Sequence, residues 1–128
     1  MKKEQFEYLA NQIFTASLEV HKYLGPGLLE SVYEFSLVKE LQLRNVSTKY
    51  QVKVPLFYKG YDTGKEFYID ILIENEIIIE VKSVEVLHPV HSAQLLSYLK
   101  LSDKKMGFLI NFNVPLLKDG FKSMVNNY

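Results

Sequence analysis

Two stretches near the middle of the chain constrain the fold more than any other feature. Residues 66–73 (EFYIDILI) and 76–83 (EIIIEVKS) are dense in β-branched side chains, which suit a pleated, half-buried surface. Ile69, Ile71 and Ile73 alternate along one stretch, and Ile77, Ile79 and Val81 along the other. Alternation with a period of two places each trio on one face of a strand. Cross-strand neighbours point to the same side, so the two trios should oppose each other. That register pairs 73 with 77, 71 with 79 and 69 with 81, and leaves the three-residue loop Glu74-Asn75-Glu76. Asn75 tolerates the left-handed backbone such a loop needs. A two-residue loop would set apolar residues opposite polar ones.

The same register fixes the other face of the hairpin. Asp70 falls opposite Glu80, Tyr68 opposite Lys82, and Leu72 opposite Ile78. Directly opposed carboxylates repel and destabilise a strand pair. The Lys82 ammonium would relieve them, as would a divalent cation, since hard ions such as Mg²⁺ take oxygen ligands. Asp70 followed by Glu80-Val81-Lys82 spells D-x(9)-E-x-K. In such a set the acids hold a metal that lowers the pKa of bound water and stabilises developing phosphate charge. The lysine orients the water or neutralises the transition state. Without a metal, the same residues would be a solvated sheet face with an ordinary Glu–Lys pairing.

The flanking segments read as helices and further strands. Phe6, Leu9, Ile13, Ala16 and Val20 recur at helical spacing between about Glu4 and Tyr23. Gly25-Pro26-Gly27 stops that helix, because proline cannot continue the ladder and glycine accepts a left-handed cap. A second helix runs from about Leu28 to Arg44, with Val32, Phe35, Leu37, Val38 and Leu41 as expected core contacts. Val52, Val54, Leu56 and Tyr58 alternate as a strand, and turn residues lie between Lys59-Gly60 and Thr63-Gly64. Pro89 suits the first turn of a helix to about Leu101. Met106 to Asn111 is a short apolar strand, and Phe121 to Val125 a further candidate. The order ααβββαβ(β) predicts an α/β (α+β) domain, a mixed central sheet flanked by helices.

Composition narrows the function classes. The 128 residues suffice for one domain, spanning 1–128, and no repeat or linker divides them. Fifteen Lys+Arg balance fifteen Asp+Glu, which argues against a polybasic arm but not against a local basic groove. The absence of cysteine excludes disulfide scaffolds and Cys-ligated zinc or iron–sulfur sites. No apolar run reaches the ~18 residues of a membrane span, and Met1 to Gln5 lacks a signal-peptide core, so a cytoplasmic location is expected. No Gly-rich phosphate loop or G-x-S-x-G elbow is present.

Other side chains are candidates for the same site. Gln94 and Tyr98 lie four apart on one helix face and would reach a nucleotide or a site water; the alternative is plain helix surface. His88 and His91 flank the start of that helix, as phosphate contacts or polar caps. Glu30, Tyr33 and Leu37 are spaced three and then four apart, which places Glu30 near the packed side. It is a further metal-site acid or a first-turn partner of the helix dipole. His21 near the end of the first helix is placed where a cation suits the dipole.

The Gly27–Glu30–Tyr33 spacing resembles the GxxExxY family. The likeness extends to His21-Lys22-Tyr23-Leu24-Gly25-Pro26, the Asp70 strand, Glu80-Val81-Lys82, Gln94 to Leu99 and Gly107 to Phe112. That family is placed in the PD-(D/E)xK nuclease-like superfamily. The resemblance implies a restriction-endonuclease-like sheet with its acids and lysine on two central strands. It implies Asp70 and Glu80 as metal ligands for Mg²⁺ or Mn²⁺, with the Val81 carbonyl a third. Lys82 would be the catalytic lysine and Glu30 an auxiliary acid, with Gln94, Tyr98, Tyr33 and His91 in support. Ile69 stands where many superfamily members have a proline before the aspartate.

The expected activity is hydrolysis of phosphodiester bonds in nucleic acid, with DNA the first substrate to consider. A silent module binding nucleic acid or protein on the same fold is the alternative, since the supply of basic residues is modest. A homodimer or partner-dependent subunit is the third reading. Eight Phe and nine Tyr exceed what so small a core should bury, and the surplus would suit an interface.

Overall fold

The helical spacing of the first segment produces α1 (Lys3–Leu24) in the computed structural model, which describes residues 1–128. Its stripe Phe6, Leu9, Ile13, Ala16 and Val20 is buried. The chain turns through Gly25, at a φ of 74°, and Gly27, at 92°, and continues as α2 (Glu30–Leu43). Then follow β1 (Thr48–Tyr58), β2 (Tyr61–Ile73), β3 (Ile77–Lys82), α3 (Pro89–Leu101), β4 (Met106–Asn111), a 3₁₀ turn (Leu117–Asp119) and β5 (Phe121–Val125). The strands form one sheet in the order β1-β2-β3-β4-β5. All neighbours are antiparallel except β3 and β4, which are parallel. A parallel pair needs a crossover, and α3 supplies it. The mixed, helix-flanked α+β sheet expected from the sequence is therefore present.

Helices cover both faces. α1 and α2 pack with Ile71, Ile73, Ile77, Ile79, Val81, Phe108 and Ile110 in the larger core. α3 contributes Leu95 and Leu99 to a smaller core with Phe67, Ile69, Leu72, Ile78 and Leu109. α3 comes close to the sheet over Gly107, where an added Cβ would lie 3.0 Å from Leu95 Cδ1. No helix is long and apolar enough to cross a membrane.

Three expectations are corrected. Val32 and Phe35 are exposed, at 37% and 73%, and Tyr33 is fully buried in their place. The inward stripe of α2 is Tyr33, Leu37, Val38 and Leu41, and Phe35 lies outside it. Ile69 does not share a core with Ile71 and Ile73; it joins the α3 side. Alternation breaks at Asp70. On β1, Tyr50 pairs with Ile71 and Val52 with Ile69, while Gln51 between them takes a φ of 50° and has no partner in the strand ladder. Lastly, β2 and β3 pair at 71/79, 72/78 and 73/77 as expected, but not at 69/81 or 68/82. Beyond 71/79 side chains take over from the ladder. The loop is Glu74-Asn75-Glu76, with both Glu74 and Asn75 left-handed at φ 52° and 58°.

Gly120 is required for steric reasons. A Cβ there would overlap the Asn111 carbonyl oxygen and sit 3.1 Å from Val114 Cγ2. The contact is backbone and cannot swing away. Gly120→Ala should therefore destabilise the fold by about 3 kcal/mol or more, read as a fall in denaturation midpoint at unchanged m-value.

Candidate functional site

Where alternation breaks, two carboxylates replace the missing strand ladder. The Asp70 N–H donates to Glu80 Oε2 at 3.0 Å, and the Val81 N–H donates to Asp70 Oδ2 at 2.9 Å. Each acid thus accepts from the main chain of the strand opposite. The bonds satisfy two amide groups that parting strands would otherwise leave unpaired. The opposition of Asp70 and Glu80 expected from the hairpin register is met, but as interlocked side chains rather than as a ladder pair.

This arrangement is electrostatically costly. Glu80 is only 5% exposed. Burial, reinforced by the charge of Asp70, pushes its carboxyl up to about 8. Burial also raises Asp70, against the lowering effects of the Val81 N–H and of Lys82. Lys82 follows on β3 and acts on both acids through its field, without a direct ion pair to either. A buried and a half-buried carboxylate that resist joint ionisation are a natural place for an added cation.

α2 brings two more acids. The Tyr33 hydroxyl donates to the Gly25 carbonyl at 2.6 Å and accepts from the Leu28 N–H at 3.1 Å. Its ring stacks on Phe112 at 4.6 Å between centroids. Tyr33 thereby fixes the Gly25–Gly27 turn and the entry of α2. Glu30 Oε1 accepts from the Ser83 N–H at 3.4 Å, and Ser83 Oγ donates to the Leu28 carbonyl at 2.6 Å. The G-x-x-E-x-x-Y stretch is thus a clamp that ties the start of α2 to the end of β3.

Glu34 and Gln51 were not singled out from the sequence, yet both sit at this site. Gln51 Nε2 donates to Glu34 Oε1 at 2.7 Å and lies 3.5 Å from Asp70 Oδ1. Burial raises the Glu34 carboxyl, and the charges of Asp70 and Glu30 add to the effect. Glu34 could have been found: it is four residues after Glu30, on the same helix face. Gln51 had no such signal, because its position depends on a left-handed backbone inside a strand.

The remaining candidates are more dispersed. Tyr98 stacks on Phe67 at 4.0 Å. Burial raises its hydroxyl, as do the charges of Glu80 and Asp70, so it faces the carboxylate pair from α3. Gln94 is exposed one turn earlier. His91 Nδ1 accepts from the His88 N–H at 3.2 Å and closes the first turn of α3. His21 is buried and its Nε2 bonds to the Val114 carbonyl at 2.8 Å, fastening α1 to the segment after β4. Asn111, also missed, is buried at the end of β4. Its Oδ1 accepts from the Val84 and Asn113 N–H groups and its Nδ2 donates to the Val84 carbonyl. It pins the chain just beyond Lys82.

The donor set suits a hard divalent ion: carboxylate oxygens from two strands, supplemented by main-chain oxygen and water. No three Asp, Glu or His side chains already surround one point. An ion would therefore draw on the Asp70–Glu80 pair first and fill its shell from elsewhere.

No curated protein and no solved structure matches this chain. Residues 7–124, nearly its whole length, match the PD-(D/E)XK nuclease superfamily. The split strands, the acid pair and the adjoining lysine are thus features of a chain that belongs to the PD-(D/E)XK nuclease superfamily.

Proposed function

We propose that this protein is a metal-dependent nuclease of the GxxExxY group that hydrolyses phosphodiester bonds, with DNA as substrate. The observation that carries the reading is the interlocked Asp70–Glu80 pair beside Lys82 at the parting of β2 and β3. Asp70, Glu80 and the Val81 carbonyl would hold Mg²⁺ or Mn²⁺. When bound, the ion supplies an acidified water and charge neutralisation at the phosphate. Lys82 contributes a fixed positive charge toward the same phosphate. Glu30 and Glu34 would add carboxylate acceptors on the α2 side of the site. Tyr98 closes the α3 side.

One observation favours the alternative of a silent binding module: the acids are not gathered into a ready three-ligand cluster. Incubation with labelled single- and double-stranded DNA and RNA separates the two. Cleavage is expected with Mn²⁺ or Mg²⁺, none with EDTA, and none from Asp70→Asn purified in parallel. Absence of cleavage from the unmodified protein on every substrate would overturn the nuclease reading. Cleavage surviving in Asp70→Asn would misassign the site.

A further inference from the structure

A groove of about 560 Å³ between α2 and β1 begins where the carboxylate site ends. Glu34 and Gln51 belong to both. Two aromatic rings stand in its walls, Phe35 at 73% exposure and Tyr50 at 63%. Nine of the seventeen Phe and Tyr are exposed, but only these two line the groove beside the acids. Gln42 and the exposed, unpaired Lys39 add hydrogen-bond donors.

The strained backbone at Gln51 is a second observation. A non-glycine residue at φ 50° inside a strand is costly, and such outliers persist where the surroundings fix them. Here that conformation places the Gln51 amide between Glu34 and Asp70, at the junction of groove and acids.

We infer that this groove takes an unpaired nucleobase, so that the nucleotide next to the phosphate at Asp70 is held by stacking against Phe35 and Tyr50. The inference deepens the nuclease reading and rests on it for the position of the phosphate. It assigns single-stranded or locally unpaired nucleic acid as the substrate class. Flat π faces and edge donors suit a base, which has both a stacking face and hydrogen-bonding edges. A base inside a duplex has both faces covered and cannot enter. An apolar peptide or a second copy fits less well, because five of the eight lining residues are polar.

The test is fluorescence anisotropy in Ca²⁺ with a labelled oligothymidylate, the same strand built from abasic units, and a blunt duplex. The base-bearing strand should bind at least about tenfold tighter than the abasic strand. Phe35→Ala and Tyr50→Ala should each weaken it by about tenfold, whereas Phe35→Tyr and Tyr50→Phe retain binding. Both positions are exposed, so melting temperatures should not move. Equal binding of the abasic strand, wild-type binding by the alanine variants, or preference for the duplex would overturn the inference. So would sedimentation showing that the alanine variants only dissociate a dimer. Base-dependent binding without metal-dependent cleavage would remove the nuclease reading and leave the groove as a base-binding site with unpaired nucleic acid as its ligand. Cleavage with base-independent binding would do the reverse.

Discussion

In the metal-free protein, Glu80→Gln should raise stability at pH 8 by a few kcal/mol and remove most of the fall in stability with pH. The carboxyl of Glu80 titrates near 4.5 in the unfolded chain and near 8 when folded. Between those values the folded state keeps a proton that the unfolded chain has released. Stability is therefore fully present below about pH 4.5 and falls as pH rises towards about 8. The slope is about 1.4 kcal/mol per pH unit where the difference is one full proton. Coupling to Asp70 spreads the loss over both groups, so the part that Glu80→Gln removes is a few kcal/mol. Glutamine keeps an oxygen to accept from the Asp70 N–H and carries no charge to bury. Urea denaturation in EDTA at about pH 5 and pH 8 reads the effect. Adding Mn²⁺ should stabilise the unmodified protein, more at pH 8 than at pH 5, and should leave Glu80→Gln unmoved. Identical pH slopes for the two proteins would show that Glu80 does not carry the burial cost.

The parts of this site that were legible in the sequence are those that follow from strict periodicity. The three pairs 71/79, 72/78 and 73/77 and the three-residue loop came directly from alternating isoleucines, because a one-residue slip would set the apolar trios opposite polar residues. The helix stripe of α1 was legible for the same reason. What periodicity could not give was its own interruption. Ile69 changes sides where Gln51 turns left-handed and Asp70 trades its ladder pairing for side-chain bonds, an event set by tertiary hydrogen bonds rather than by local preference. In α2 the apolar residues encircle the helix, so Phe35 and Tyr33 were equally plausible as core. The Tyr33 hydroxyl decides it, since its two partners lie in the preceding turn. Gln51 stayed hidden because its place between Glu34 and Asp70 depends on a left-handed backbone inside β1, whereas Glu34 was within reach as the residue one turn after Glu30.

Lys82→Ala should lower metal-dependent cleavage by about 10²–10³-fold while leaving metal binding intact or strengthened. The two effects separate because Lys82 plays opposite parts toward the acids and toward the phosphate. Its charge lowers the pKa of both Asp70 and Glu80, and no direct ion pair holds it to either. Removing it takes away a charge that repels an incoming cation, so Mn²⁺ should raise the melting temperature of the variant at least as far as that of the unmodified protein. It also takes away the fixed charge facing the phosphate as negative charge develops there, which is felt in the rate of the chemical step rather than in substrate affinity. Lys82→Arg keeps the charge but not its compact, rotatable form, and should recover only part of the rate. A lysine that served only as counter-ion to the acids would behave differently. Its removal would weaken the fold at pH 8, and saturating metal would then restore full cleavage. Single-turnover rates at saturating Mn²⁺, measured beside the metal-induced melting shift, distinguish the two. A rate equal to that of the unmodified protein under those conditions would reduce Lys82 to a structural charge.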